Sequence, residues 1–382
     1  MKILGVCLHF WPVTGGIENH FYSLLTDELL EPTVITQRAR GTRRYEVHRN
    51  VRIHRWPYAP HCNFINRILQ VFCSLFLGFV FTLRQKPAKI VLSQSLPVGI
   101  VGLACKYLLR KEYVVFIHGN DLLRPLAFPI TKLALRLVLS NAQYVVANSK
   151  FTRDLALFCG AQESKTAIIH PGVDTATFHP LQDAAMQRQL LGFSGEKIIL
   201  TVTRLEKRKS IDVCIEAISL LRVKGMDVKY LIVGDGTERK FLENKAKQKN
   251  ITEHVLFLGR KPLHVLRTLY GIADVFLLPS RYIPEEGDVE GFGIVFAEAA
   301  ACGIPSIGTN SGGIPDVVRN GSTGVLIDSI NAKTVADALE YLLVHNDVRS
   351  RMSKRCLEAV RQEFDISVAR RKFRDILAGG KA

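Results

Sequence analysis

Residues 279–328 read PSRYIPEEGDVEGFGIVFAEAAACGIPSIGTNSGGIPDVVRNGSTGVLID, and the fold follows from how this run is parsed. Pro279-Ser280 closes a strand, an acidic loop follows, and Gly291-Phe292-Gly293 opens a helix at Ile294. Glu290 sits in the loop just before that helix and Glu298 eight residues on, about two turns in at ~3.6 residues per turn. The first backbone N–H groups of a helix attract anions, and glycines beside them let a ligand come close. Glu298 falls within the apolar run IVFAEAAA, where a carboxylate needs a partner. A carboxylate on each side of an anion site suits the hydroxyls of a sugar and of a ribose.

Working back from Pro279, ADVFLLPS (273–280), VLFLG (255–259), YLIVG (230–234) and IILTVTRL (198–205) are short apolar runs of the buried, parallel type. Helical patterns occupy 331–345, 347–363 and about 367–377. The first half of the chain repeats the theme. KILGVCL (2–8) is a strand, Ile17 to Leu30 a helix, and strands recur near 33–36, 51–56, 89–93, 113–117, 143–147 and 166–169. Such alternation specifies a doubly wound parallel sheet with ligands at the carboxyl ends of its strands. Pro171, Gly172 and Pro180 in HPGVDTATFHP mark a junction. Domains are therefore expected at 1–174 and 175–364, with 365–382 as a terminal helix.

Several strand ends carry chemistry. Gly15-Gly16, between the first strand and helix, has the shape of a phosphate cradle. His118 ends a strand and precedes Gly119, a place from which an imidazole reaches a ligand. Arg204 and Lys209 lie five residues apart across the turn after IILTVTRL. A guanidinium and an ammonium together suit a diphosphate. Gly259 and Arg260 close VLFLG at another strand end. Glu285, Glu286, Asp288 and Glu290 read as a solvated loop rather than a cation site. No Asp-x-Asp occurs anywhere, so no metal is expected.

The 382 residues suit two domains, and 47% apolar content is enough for real cores. The net charge of +16 is uneven: residues 1–190 hold 22 Lys/Arg and 11 Asp/Glu, a net of +11, which leaves +5 for the rest. Nine basic residues and no acidic one lie between Val51 and Lys111. That bias suggests an anionic partner: a membrane surface, a phosphorylated substrate or nucleic acid. Helix 64–83, FINRILQVFCSLFLGFVFTL, is apolar over most of its surface and has basic flanks. Its uncharged run, 68–83, is 16 residues, short of the ~20 that span a bilayer. It reads as a core helix or as one lying in the membrane interface. The eight cysteines are scattered, form no C-x-x-C pair and read as reduced thiols. KILGVCL is too short for a signal-peptide core, so a cytoplasmic protein is expected.

The E-x7-E pair of Glu290 and Glu298, with SGGIPDVV (311–318) after it, resembles the signature of retaining glycosyltransferases of family 4. HFWPVTGG near the start, the His118-Gly119 pair, the Arg204/Lys209 pair and the HPGVD–F–P junction are similar to the same family, so the resemblance spans essentially the whole chain. Ser210 stands where the family usually has glycine. The resemblance implies an α/β GT-B fold: two Rossmann-like doubly wound domains facing a cleft, with a C-terminal helix crossing back to the first. It implies retaining transfer of a hexose from a nucleotide sugar, without a metal, to a glycan or lipid-linked acceptor. The short first strand, the basic bias and helix 64–83 add the expectation of an enzyme in the cytoplasm, peripheral on the inner face of the cell membrane. On that reading His118, Arg204, Lys209 and Glu290 serve catalysis. Gly15, Gly16, Arg204, Lys209, Gly259, Arg260, Glu290, Gly291, Phe292, Gly293, Ile294 and Glu298 hold the donor. The acidic loop YIPEEGDVEGFGIVFAEA looks like that of bacterial phosphatidylinositol-mannoside mannosyltransferases, which favours GDP-mannose over a UDP-sugar. Two alternatives stand beside this reading: a nucleotide-sugar epimerase of similar architecture, and a non-catalytic binder of membrane or nucleic acid. E-x7-E with SGG suits transfer, and a donor site has no purpose in a binder. Nucleic acid is therefore not expected as a partner.

Overall fold

The computed structural model describes residues 1–13, 15–57 and 64–380, with 64–71 by backbone alone. The chain divides into two compact units, Met1–Gly172 with Ile366–Ala382, and Val173–Asp365.

In the first unit the strands are β1 (Lys2–Val6), β2 (Glu31–Gln37), β3 (Tyr45–His48), β4 (Val51–Trp56), β5 (Lys89–Leu92), β6 (Tyr113–Ile117), β7 (Tyr144–Ala147) and β8 (Thr166–Ile168). They form one sheet in the order β3-β4-β2-β1-β5-β6-β7-β8, parallel throughout except for the β3–β4 hairpin. Alternate residues feed two cores: Leu4, Val6, Ile90 and Leu92 on one face, Ile3, Val91, Val114 and Phe116 on the other. Burial on both faces is why these strands read as unbroken apolar runs. The chain leaves β1 towards β2 on one side and returns to β5 on the other, so the switch point lies between β1 and β5.

Helix Gly16–Leu25 ends before the expected Leu30 because local polar groups intercept the backbone. Thr26 donates to the Tyr22 carbonyl at 3.0 Å, Asp27 accepts from the Leu29 N–H at 3.1 Å, and Asn50 donates to the Asp27 carbonyl at 2.8 Å. The last helix, Ile366–Leu377, belongs to this unit, as the sequence implied. Phe373 meets Phe116 at 5.6 Å, Arg370 donates to the Ser23 carbonyl at 2.9 Å, and Arg374 pairs with Asp27.

Helix Phe64–Gln85 has two different faces. Ser74, Gly78 and Thr82 are buried, Gly78 against Val101 and Thr82 against Cys105 of helix Gly99–Leu109. Phe72, Phe76 and Leu83 are exposed at 65%, 68% and 51%, so the helix is part core and part apolar surface. The side chains of 64–71, including Arg67, lie outside the described residues. The basic run is thinner at the surface than its sequence suggests: Arg55 is buried against Glu46 at 2.6 Å, and Lys106 pairs with Glu112 at 3.5 Å. No helix among the described residues is long and apolar enough to cross a membrane. The seven described cysteines are free thiols, and Cys62 lies outside the described residues.

The second unit holds β9 (Lys197–Val202), β10 (Val228–Val233), β11 (Val255–Gly259), β12 (Val275–Leu277), β13 (Ser306–Thr309) and β14 (Gly324–Ile327). Their order is β11-β10-β9-β12-β13-β14, all parallel, with the switch point between β9 and β12. This is the dinucleotide-binding arrangement of a Rossmann sheet, whose ligand crevice opens at the carboxyl ends of the two central strands.

Candidate active site

Two turns meet at the switch point of the second sheet. After β9 the chain makes a short 3-10 turn, Lys207–Lys209, and after β12 it runs through the loop 281–290. The Arg281 N–H donates to the Arg208 carbonyl at 2.8 Å and ties the turns together. Lys209 and Arg208, each 7% exposed, both reach Glu290. Lys209 makes the closer ion pair, and Arg208 donates from Nη1 to Glu290 Oε2 at 3.1 Å. The same guanidinium donates from Nε to Asp288 Oδ2 at 3.1 Å. Asp288 and Glu290 are thus counter-ions of this turn rather than part of a solvated loop, while Glu285 and Glu286 are exposed.

Burial alone would raise the Glu290 carboxyl, but Lys209 and Arg208 outweigh it and hold the group at about 2. Burial also pushes the Lys209 ammonium below its ordinary value, with Glu290 offsetting part of the effect. The result is a compact, mutually neutralised cluster in which the carboxylate stays ionised at physiological pH. Removing one member of such a buried pair typically costs about 3–5 kcal/mol, because its partner is left uncompensated.

The glycines of the motif aim Glu290. Gly313 donates its N–H to the Glu290 carbonyl at 2.9 Å. A methyl group on Gly312, at φ +58°, would overlap that carbonyl and stand 2.8 Å from Val289 Cγ2. Gly293 caps helix Ile294–Ala301 at φ +81°, and a methyl there would lie 2.6 Å from Phe296 Cδ2. SGG follows E-x7-E in the sequence because it grips the backbone of the first glutamate. Gly291 is buried, and Ile294 is the partly buried first residue of the helix. The Phe292 ring is 2% exposed and packs on Phe364 at 5.8 Å, a core contact.

Glu298 has a separate environment. Its Oε2 accepts from the Tyr270 hydroxyl at 2.8 Å, and Tyr270 is fully buried on helix Leu263–Ile272. Burial pushes the Glu298 carboxyl up to about 7 despite that hydrogen bond. The two glutamates therefore differ by several units, one locked in the charged form and the other able to take up a proton near neutrality.

The structure does not bring Arg204 to Lys209. The Arg204 side chain is 73% exposed and pairs with Glu206 at 3.0 Å. Backbone bonds from Glu206 N–H to Arg204 C=O and from Lys209 N–H to Glu206 C=O wind the turn tightly, so Lys209 faces inward and Arg204 outward. Arg208 takes the place beside Lys209 that the spacing suggested for Arg204. Its pairing with Asp288 joins residues 80 apart, so no local sequence signal marked it. Ser210 adopts φ +53°, a left-handed conformation that explains a preference for glycine here. Gly259 (φ +67°) and exposed Arg260 end the edge strand β11, two strands from β9. Among the described residues no three His, Cys, Asp or Glu side chains cluster as metal ligands would.

In the first unit, Gly15 and Gly16 follow β1 and His118 follows β6, at carboxyl ends of the parallel sheet. Gly15 caps helix Gly16–Leu25, with the Glu18 carboxylate beside it, and Gly16 has open space where a side chain would stand. His118 follows β6, its Nε2 lies 2.9 Å from the Ser93 carbonyl, and its backbone N–H donates to Asp121 at 2.8 Å. Burial lowers its pKa, with Asp121 opposing. At 6.0 Å from its ring lies His20, 1% exposed, with neither ring nitrogen hydrogen-bonded among the described residues. The sequence reading missed both His20 and Tyr270, because a buried ring on a helix's apolar face leaves no local signature.

Residues 14–177 match the family described as Glycosyltransferase Family 4, and residues 183–358 match Glycosyl transferases group 1. The GDP-mannose-dependent alpha-(1-6)-phosphatidylinositol monomannoside mannosyltransferase of Mycobacterium tuberculosis is 31% identical over 266 residues, 69% of each chain. The chain belongs to glycosyltransferase family 4. The enzyme of the same description from Mycolicibacterium smegmatis is 33% identical over 250 residues, 65% of each chain, slightly less than two thirds of that relative's length. The fold of this glycosyltransferase is GT-B, with two Rossmann-like units. Sucrose-phosphate synthase from Thermosynechococcus elongatus superposes on it with a TM-score of 0.84 at 21% identity, over 99% of this chain and all of that one.

Proposed function

We propose that this glycosyltransferase moves mannose from GDP-mannose, with retention, to a glycan or lipid-linked acceptor of the cell envelope. The observation that carries the reading is the Lys209–Arg208 cation pair held against Glu290 where β9 and β12 diverge. As the sugar departs, negative charge grows on the nucleotide's diphosphate. Lys209 and Arg208 meet it, and Arg204 swings in from its exposed pair with Glu206. Fixed charges at a leaving group usually supply the largest catalytic term, and one such group contributes roughly 100- to 1000-fold in turnover. Glu290, released from its cations, accepts from hydroxyls of the sugar. Glu298 accepts from the ribose hydroxyls in place of Tyr270. The acceptor attacks on the face the nucleotide leaves, and its proton passes to the departing phosphate. Because the protein supplies the cations, no metal takes part.

Mannose and GDP are supported by the two mycobacterial relatives at 31% and 33% identity. Work at the cytoplasmic face of the membrane is supported by a run of exposed apolar side chains on three adjacent helices. These are Phe72, Phe76 and Leu83, then Tyr107 and Leu108, then Ile130 and Leu133, with Arg84, Lys86 and Lys132 exposed among them. Each well-placed basic residue adds about 1 kcal/mol of attraction to anionic lipid.

The test is a hydrolysis screen over GDP-mannose and the common UDP-sugars in EDTA. Turnover highest with GDP-mannose supports the reading. Preference for a UDP-sugar overturns the donor, and rescue by magnesium overturns the metal-free mechanism. Co-sedimentation with anionic but not neutral vesicles tests the membrane contact, and no binding to either sinks it.

A further inference from the structure

A second charged pocket lies in the first unit, at the carboxyl ends of β2 and β4. It encloses about 580 Å³ and is lined by Arg38, Arg40, Arg44 and Arg55 together with Ala39, Gly41 and Pro57. Among the described residues no acidic side chain lines it. The volume lies within the range of about 300–1,000 Å³ usual for small-molecule sites. Carboxyl ends of parallel strands are where a doubly wound sheet binds its ligands, and β2 neighbours β1 at the switch point.

The four arginines divide into a strut and a set of open heads. Arg55 is 3% exposed and fully engaged: it donates to the Arg43 carbonyl at 3.2 Å, to the Trp11 carbonyl at 2.7 Å and to Glu46 at 2.6 Å. Its backbone N–H donates to the Arg44 carbonyl at 2.8 Å, which pins the loop 38–44 from below. Thr42 closes the same loop through bonds to Ala39 at 2.7 and 3.1 Å, and Arg38 Nε donates to the Thr42 carbonyl at 2.8 Å. The loop is therefore held before any ligand arrives. Arg38, Arg40 and Arg44 are exposed, and among the described residues none of the three is ion-paired with a carboxylate. Converging guanidinium groups repel one another unless an anion sits between them, and their planar forks match phosphate oxygens in pairs.

We propose that this pocket binds a phosphate group carried by the acceptor, so that the acceptor belongs to the phosphate-bearing class. The inference rests on the glycosyltransferase reading above and narrows its acceptor, which no sequence motif identifies. Trp11, whose carbonyl Arg55 holds, lies in the segment between β1 and Gly15-Gly16, so the pocket is wired to the first unit's switch point.

The experiment measures binding with GDP at saturation, so that the donor site is filled. Glycerol 3-phosphate and myo-inositol 1-phosphate are compared with glycerol and myo-inositol. Vesicles containing phosphatidylinositol are compared with phosphatidylcholine alone. The variant is Arg40→Gln with Arg44→Gln, two exposed loop residues that leave the Arg55 strut in place. Expected is binding of phosphate-bearing probes only, weakened tenfold or more in the variant, with GDP affinity unchanged. Soluble probes that bind without vesicles indicate a free sugar phosphate. Vesicle binding lost in the variant indicates a lipid phosphate, and both outcomes support the pocket. Equal affinity of wild type and variant for the phosphate probes overturns it, as does failure of every phosphate probe to bind the wild type. Failure of GDP itself to bind is a separate result and counts against the donor reading.

Discussion

At the switch point of the second sheet the buried charges come with their counter-ions: Lys209 and Arg208 face Glu290 and Asp288 in one hydrogen-bonded cluster. In the first unit the comparable region is unbalanced. Among the described residues His20 is buried without a partner for either ring nitrogen, and Arg38, Arg40 and Arg44 line a pocket without an ion pair to a carboxylate. The difference teaches how the halves use ligands. The second unit's charges are assembled in advance, and on the proposed reading a nucleotide replaces those internal partners. The first unit's pocket is lined by arginines, and on the proposal above it takes its counter-charge from what binds. Substitutions in the second unit should therefore cost both fold and turnover, whereas those in the first unit's pocket should cost binding alone.

The largest effect is expected from Lys209→Ala. Loss of a charge at the leaving group should lower turnover by about 100- to 1000-fold. Because Glu290 keeps Arg208, the fold should survive with a lowered melting temperature. Wild-type turnover in a folded variant would break the comparison. Next comes Gly312→Ala, which neither adds nor removes a charge. The added methyl collides with the Glu290 carbonyl and strains a left-handed residue. Turnover should fall at least tenfold, with a stability loss of about 1–3 kcal/mol from strained backbone, read by urea unfolding. An unperturbed variant would show that SGG does not aim Glu290.

The two glutamates offer a sharper test through pH. Glu290, held at about 2 against an ordinary 4.5, contributes stability that is present above pH 4.5 and lost as pH falls towards 2. At about 1.36 kcal/mol per unit, that contribution is roughly 3 kcal/mol. Glu298, raised to about 7, has the opposite sign: the folded state holds its proton more tightly, so stability declines as pH rises from 4.5 through 7. If its carboxylate accepts from the ribose, GDP should bind about tenfold more tightly at pH 8 than at pH 6. Glu298→Gln should remove that slope. Calorimetric titration of both proteins reads the difference, and parallel pH profiles would exclude Glu298 from the nucleotide site. The smallest effect belongs to Ser210→Gly. Relieving a left-handed serine should stabilise the second unit by about 0.5–1 kcal/mol, seen as a higher urea midpoint. A lower midpoint would mean that the serine side chain matters more than its backbone strain.

The architecture was legible because strands buried on both faces leave continuous apolar runs, as at KILGV and VKYLIV. Strand β3, YEVH, escaped because it is a short, half-exposed edge hairpin without such a run. Motif spacing singled out Glu290 and Lys209. Their direct ion pair was not legible, since it joins residues 81 apart. Choosing Arg204 over Arg208 depended on the winding of a 3-10 turn, where a shift of one residue rotates a side chain by about a third of a turn. Tyr270 reaches Glu298 from a helix 28 residues upstream, a contact fixed by packing alone.

The central claim is that the cations after β9 bind a nucleotide diphosphate without a metal. It is tested most directly by titrating GDP, in EDTA, into the wild type and Lys209→Ala. Binding by the wild type, unchanged by magnesium and weakened at least tenfold in the variant, is the expected result. Equal affinity in the two proteins, or binding that appears only when magnesium is restored, would contradict it.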